Sequence, residues 1–208
     1  MSVVVAMRES PSSWIVGSDG VAIAGNGERM SETERKWIHA PGAPFVVGCA
    51  GCSEIRDLVG ELLFDYSKGP AGQRVSVREF ARDLRRLIRS EEWGPDKRET
   101  GGPDCYDVNL LVADGCALYE VYGRIYASEV HEDARAIGQG CEVAIGAMQA
   151  LSALTTLDPI PIVYESVGIA KRRMNCCGGE TFVHRVSVEA GGPCLQDLAV
   201  PAVSSRPS

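Results

Sequence analysis

Ser2, near the start of this chain, could act as a nucleophile without help from another side chain. Met1-Ser2 runs directly into the apolar stretch Val3-Val4-Val5-Ala6. A small second residue permits removal of Met1, which would leave Ser2 with both a hydroxyl and a free α-amine. An α-amine has an ordinary pKa of about 7.7–8.0, which suits a general base near neutral pH. Ser2 is therefore a candidate nucleophile and base, although many chains begin Met-Ser for no chemical reason.

A different chemistry could come from Cys49-Ala50-Gly51-Cys52, a CxxC sequence between a predicted strand and a predicted helix. A helix N-terminus lowers the pKa of a nearby cysteine, so this placement is typical of thiol oxidoreductases. The chain opens with short strands rather than a strand–helix–strand unit, which weighs against that interpretation. Zinc bound by Cys49, Cys52, Cys176 and Cys177 is less favoured, because adjacent cysteines rarely both reach one tetrahedral ion.

Length and composition indicate one globular domain. The chain has 208 residues, of which 45% are hydrophobic and 24% are charged, as is ordinary for a folded protein with one core. We expect a single domain over residues 1–190 and a C-terminal tail over 191–208. The net charge of −7 argues against a nucleic-acid partner, because binding phosphates requires concentrated Lys and Arg.

The start and the hydropathy of the chain predict a cytoplasmic protein with no membrane partner. No apolar run approaches the roughly 20 residues that a membrane-spanning helix needs. The first residues also lack the basic segment and apolar core of a secretory signal.

The first fifty residues show the pattern of short strands separated by turns. The predicted strands are Val3 to Met7, Trp14 to Gly17, Val21 to Gly25, Lys36 to Ala40 and Phe45 to Gly48. Ser18-Asp19-Gly20 has the composition of a hairpin turn between two of them.

The remainder alternates between helical and strand patterns. Apolar residues at helical spacing predict a helix from Ser53 to Ser67 and another from Ser76, where Ser76 and Glu79 form a capping box. A loop over 94–103 precedes three strands and two more helices. The three strands are Asp107 to Ala113, Leu118 to Tyr122 and Ile125 to Val130, and Asp114-Gly115 predicts a hairpin turn between the first two. The two helices are about Gly140 to Ala153 and about Pro161 to Met174. A last strand follows from Thr181 to Glu189. This order predicts an α+β fold, a four-layer αββα sandwich.

Several short motifs, in this order, resemble the proteasome β-subunit family, including the bacterial HslV-type subunits, which are N-terminal-nucleophile hydrolases. The resemblance extends from Ser2 to about Val188. Its motifs are Lys36-Trp37-Ile38, the strand Phe45 to Gly51 with its Gly-x-Ala-Gly turn, Val21 to Gly27, Ala136-Ile137-Gly138-Gln139-Gly140, and Cys177-Gly178-Gly179.

The resemblance implies a peptidase subunit with Ser2 as the nucleophile, Lys36 as the catalytic lysine and Gly51 as the oxyanion donor. The implied substrate is a polypeptide, no cofactor is needed, and the subunits would form a homo-oligomeric ring with an ATPase unfoldase as a candidate partner.

The chain also departs from the family. Asn26 stands where the resemblance places the acidic partner of the lysine, so it would orient Lys36 without contributing a charge. In the supporting positions, Gln139 replaces a serine, and Met174 or Asn175 and Cys177 replace an aspartate and a serine. An active peptidase and an inactive ring subunit with the same fold are therefore both open, and a CxxC oxidoreductase is a third alternative.

Overall fold

The structure is a computed structural model that describes residues 2–23, 29–69, 75–90, 108–123, 125–156, 158–189 and 192–199. The predicted loop over 94–103 lies outside these residues, as does Asn26.

Twelve strands and four helices are defined within the described residues. The strands are β1 Val4–Ser10, β2 Ser13–Asp19, β3 Ala22–Ile23, β4 Arg29–Ser31, β5 Trp37–His39, β6 Val46–Gly51, β7 Val108–Ala113, β8 Leu118–Tyr122, β9 Tyr126–Val130, β10 Ala134–Ile137, β11 Thr181–Glu189 and β12 Gly192–Asp197. The helices are α1 Ser53–Ser67, α2 Val77–Ser90, α3 Cys141–Leu154 and α4 Pro159–Arg173.

Most strands belong to two antiparallel sheets of five strands each. The first sheet has the order β10-β1-β2-β11-β12, and the second has the order β5-β6-β7-β8-β9. The two short strands β3 and β4 pair with each other. Because side chains alternate along a strand, Val4 of β1 faces the second sheet while Val5 faces α3 and α4.

Three apolar cores separate four layers, which confirms the predicted αββα sandwich. Trp14, Val46 and Leu111 pack between the sheets. Phe45 and Phe80 belong to the core beneath α1 and α2, with ring centroids 5.7 Å apart. The third core lies between the first sheet and the helices α3 and α4.

Several elements follow the predictions made from local sequence patterns. Helix α1 and strand β11 have the predicted bounds, and the capping box is confirmed, since the Ser76 Oγ accepts the Glu79 N–H at 3.2 Å and the Ser76 N–H donates to Glu79 at 2.8 Å. The turn at Asp114-Gly115 joins the paired strands β7 and β8, as expected.

Several elements differ from the sequence interpretation, which predicted neither β4 nor β10 as a strand. The hairpin expected at Ser18-Asp19-Gly20 is wrong, because β2 pairs with β1 and β11, whereas β3 pairs with β4. Gly192–Asp197, which fall in the expected tail, form β12 at the edge of the first sheet, paired with β11. Within the part of the chain that the structure describes, no helix combines the length and apolar character needed to cross a membrane.

Candidate active site

Ser2 lies two residues before the start of β1 and is only 2% exposed. Its carbonyl oxygen accepts the N–H of Gly140 at 3.3 Å. Gly138 has φ +86° and lies so close that a Cβ at this position would overlap the Ser2 carbonyl. The segment between β10 and α3 therefore fixes the backbone of Ser2, and its glycines permit the close approach.

Lys36 precedes β5, and its side chain is almost fully buried, with 5% of the residue exposed. Its Nζ donates a hydrogen bond of 2.6 Å to the carbonyl oxygen of Val21. The same Nζ lies 4.0 Å from the Oδ1 of Asp19, at the end of β2. A buried ammonium requires such compensation, because an unpaired charge in the interior is costly.

Asp19 is completely buried and connects several segments. Its Oδ1 accepts the N–H of Val3 at 3.0 Å, and its Oδ2 accepts the N–H of Gly178 at 3.0 Å. Burial raises the pKa of the Asp19 carboxyl, while the nearby Lys36 charge and the two N–H donors act in the opposite direction. Asp19 thus links the residue after Ser2 to Lys36 and to the turn before β11.

Asp19 is the residue that the sequence interpretation missed. The interpretation assigned Asp19 to a turn and expected no anion beside Lys36, because Asn26 occupies the position that the resemblance gives to the acid. The structure places a carboxylate there from β2 instead. The only local signal is that an acid follows the apolar strand Trp14-Ile15-Val16.

Gly51 ends β6 just before α1 and has φ +110°, in the region that favours glycine. Strand β6 is tied to the lysine through the Cys49 N–H, which donates to the Lys36 carbonyl at 2.9 Å. Ser2, Lys36 and Gly51 line one pocket of about 920 Å³. A hydroxyl, an ammonium and a backbone N–H around one cavity are the groups that acyl transfer needs.

Cys177 and Gln139, the two candidates for supporting positions around Ser2, differ in how far they are buried. Cys177 is 2% exposed and packs against Gly140 and Val3, where a Cβ on Gly140 would lie 2.7 Å from the Cys177 Sγ. Burial, together with the negative charge of Asp19, raises the pKa of the Cys177 thiol, so it remains a neutral thiol. Gln139 is exposed, between the two glycines that approach Ser2.

The pKa values of the two CxxC cysteines, Cys49 and Cys52, are shifted in the opposite direction from the pKa of a reactive thiol. Burial raises the pKa of Cys49 to about 12, and burial together with the Glu54 carboxylate raises the pKa of Cys52. Redox cysteines have lowered pKa values instead. Among the described residues, no cluster of three or more His, Cys, Asp or Glu side chains is arranged to hold a metal ion.

Comparisons with known proteins connect this geometry to a fold. Neither protein-family models nor curated protein sequences give a match. Among solved structures, BPH of Thiobacillus denitrificans is 18% identical with a TM-score of 0.71, covering 90% of this chain and 99% of that chain. The complex of that protein with epoxomicin gives a TM-score of 0.70 at 18% identity and the same coverage. Eukaryotic HslV from Trypanosoma brucei is 17% identical with a TM-score of 0.60, covering 89% of this chain and 99% of the HslV chain.

These likenesses show the fold. The chain has the four-layer architecture of the proteasome and HslV type, the N-terminal-nucleophile hydrolase fold that the sequence motifs predicted. Both sheets, both helical layers and the pocket at Ser2 fall within the part of the chain that the structure describes.

Proposed function

We propose that this protein is a peptidase subunit whose nucleophile is Ser2, exposed as the N-terminal residue when Met1 is removed. The substrate is a polypeptide that enters the pocket beside Lys36 and Gly51. The proteasome and HslV type of fold supports this class of activity, and no cofactor takes part in the proposed reaction.

The proposed reaction uses groups of Ser2, Lys36 and Gly51, three residues that line the pocket. The Ser2 Oγ attacks the carbonyl carbon of a peptide bond while the Ser2 α-amine accepts the hydroxyl proton. The N–H of Gly51 donates to the oxyanion of the tetrahedral intermediate, and the Lys36 ammonium stabilises the developing negative charge. The intermediate collapses as the leaving amine takes the proton from the α-ammonium, which leaves an ester on Ser2. Water then hydrolyses the ester, with the α-amine as base.

The observation that carries the proposal is the bonding of Asp19. One carboxylate oxygen lies 4.0 Å from Lys36 and accepts the N–H of Val3, the residue bonded to Ser2. This arrangement holds the ammonium and the chain start in a fixed relation at one pocket. A solvent-exposed lysine at a strand end would have no reason to be paired in this way.

A test compares the hydrolysis of fluorogenic peptides by the wild type, Ser2→Ala and Ser12→Ala. Ser12 is an exposed serine in the turn between β1 and β2 and serves as the matched control. We expect Ser2→Ala to lose at least about 100-fold in kcat/KM, since removing a nucleophile eliminates the covalent path, while Ser12→Ala retains the wild-type rate. Equal hydrolysis by Ser2→Ala and the wild type would exclude the proposal.

A second candidate is a ring subunit without catalytic activity. Gln139, which replaces a serine of the family pattern, and Met174 or Asn175, which replaces an aspartate, favour this alternative. In both cases we propose that the subunits assemble into a homo-oligomeric ring, with an ATPase unfoldase as a possible partner. Native mass spectrometry distinguishes a ring from a monomer, and the peptide assay then distinguishes the active ring from the inactive one.

A further inference from the structure

In the wall of the pocket beside Ser2, the cations are neutralised more completely than the carboxylates. Two of its three cations are neutralised by carboxylates outside the pocket wall. Lys36 is compensated by the buried Asp19 at 4.0 Å. Arg35 makes two hydrogen bonds of 3.1 and 2.9 Å to the carboxylate of Asp197, on β12. Neither cation is therefore available to attract an acidic substrate.

The third cation is also paired. The guanidinium of Arg56 forms an ion pair with Glu34, and both residues line the pocket. Asp57 lies 3.8 Å from the Nε of the same arginine, and its side chain is 72% exposed. One guanidinium thus faces two carboxylates, so this part of the pocket has an excess of one negative charge.

Glu54 contributes a further carboxylate to the pocket wall. It is exposed in the first turn of α1, where it accepts hydrogen bonds from the Cys52 thiol and, at 3.3 Å, from the Ser53 hydroxyl. These donors are neutral, and no ion pair joins Glu54 to another described residue. The hydrogen bond from Cys52, followed by the backbone N–H of Glu54 itself, lowers the pKa of this carboxyl, so Glu54 is ionised near neutral pH.

We propose that the pocket selects peptides with a lysine or arginine side chain beside the scissile bond, and that Asp57 and Glu54 determine this specificity. The proposal rests on the peptidase function proposed above. Lys36 and Arg35 are neutralised by Asp19 and Asp197, which lie outside the pocket wall. The other charged groups of the wall are one guanidinium, that of Arg56, and three carboxylates, those of Glu34, Glu54 and Asp57, so they leave a net negative charge beside a cavity of about 920 Å³. A substrate cation would supply the missing positive charge, whereas an acidic side chain would be repelled.

The two carboxylates contribute unequally. Glu54 lies at the N-terminus of α1, where the partial positive charge of the helix end offsets part of its charge. Asp57 shares a guanidinium that already binds Glu34, and most of its side chain is open to the pocket and to solvent. We therefore expect Asp57 to have the larger effect.

The kinetic test compares matched fluorogenic peptides that carry arginine, leucine or glutamate beside the scissile bond. We expect the wild type to prefer arginine. Asp57→Asn should lower the arginine-to-leucine ratio of kcat/KM by about threefold, and the double variant Glu54→Gln/Asp57→Asn by about tenfold. Glu61→Gln is the matched control, because Glu61 is exposed on the same helix but does not line the pocket. The preference should also weaken at high salt, since the carboxylates are exposed.

A binding measurement separates this proposal from the proposed reaction. The Ser2→Ala protein is titrated with fluorescently labelled peptides that differ only in that one side chain, and anisotropy reports the Kd. Tighter binding of the arginine peptide, lost in the double variant, supports the proposal even if no peptide is hydrolysed, in which case only the catalytic function fails. The specificity proposal is overturned if leucine or glutamate peptides bind equally well or better, or if the double variant leaves the preference unchanged.

Discussion

The Oδ1 of Asp19 lies 4.0 Å from the Nζ of Lys36 and accepts the N–H of Val3 at 3.0 Å. One oxygen atom therefore links Lys36 to the residue that follows Ser2, the candidate nucleophile. Because Asp19 is fully buried, water does little to screen the attraction between its carboxylate and the Lys36 ammonium. The acid that the sequence interpretation found missing from the site is thus present, on a different element.

Asp19→Asn tests this link. The substitution removes the charge beside Lys36. It also places an amide N–H₂ group opposite the N–H of either Val3 or Gly178, which both donate to Asp19 in the wild type. We expect a loss of about 1–3 kcal/mol in the free energy of unfolding and a loss of about 100-fold in kcat/KM, because the lysine is no longer held as a fixed cation. Chemical denaturation and the peptide assay measure the two effects.

Asp65→Asn is the control for that experiment, since Asp65 is exposed on α1 and pairs with Lys68 at the surface. It should change stability and activity little. If Asp19→Asn retains full activity at a temperature where it is folded, Asp19 has no part in the proposed reaction.

Gly138→Ala should displace Ser2. A Cβ on Gly138 would overlap the Ser2 carbonyl, and the φ of +86° is unfavourable for alanine. The backbone conformation alone costs about 1–2 kcal/mol, and the overlap adds to that cost, so we expect a lower melting temperature together with a loss of peptide hydrolysis.

Gly146→Ala is the matched control for Gly138→Ala. Gly146 lies inside α3, and a Cβ there would have no atom within 4 Å. This change should raise the free energy of unfolding by about 0.5–1 kcal/mol and leave hydrolysis unaltered. Equal effects of the two substitutions would contradict the contact between Gly138 and Ser2.

Stability should fall at mildly acidic pH because of His184. This histidine is 2% exposed, its Nδ1 lies 2.8 Å from Asp197, and its Nε2 is buried without a partner among the described residues. Burial lowers its pKa, although the Asp197 carboxylate acts in the opposite direction. The unfolded chain therefore binds more protons than the folded chain, and the contribution of His184 is complete above about pH 6.5 and is lost as the pH falls below that value.

Urea unfolding between pH 5 and 8 measures this effect. His184→Phe removes the titrating group and keeps an aromatic ring beside Phe182, on which His184 stacks. We expect the free energy of unfolding to change less steeply with pH in the variant than in the wild type below about pH 6.5. Identical slopes would show that His184 does not control the pH dependence.

The CxxC sequence should be unreactive. Because burial raises the pKa of Cys49 to about 12 from a usual value near 9, its thiolate population at neutral pH is lower by roughly a thousandfold. Iodoacetamide should label the exposed Cys116 long before Cys49, as peptide mapping by mass spectrometry would report. Labelling of Cys49 as fast as Cys116, or reduction of a disulfide substrate by the protein, would revive the oxidoreductase alternative.

The sequence predicted the elements whose signals are local. Helix α1 and strand β11 follow from periodic apolar residues, and the start of α2 follows from the spacing of Ser76 and Glu79. Strand β12 was missed because Gly192-Pro193 gives no strand pattern, and its pairing with β11 depends on the finished sheet. Asp19 was missed for a related reason, since it meets Lys36 and Gly178 only when distant segments converge, and no spacing in the sequence reports that contact.

The intact mass of the purified protein tests the central claim most directly, because Ser2 can supply both hydroxyl and base only when it is the N-terminal residue. We predict a chain that begins at Ser2, with a mass lower than that of the full sequence by one methionine residue. A mature chain that retains Met1 would contradict the proposed nucleophile.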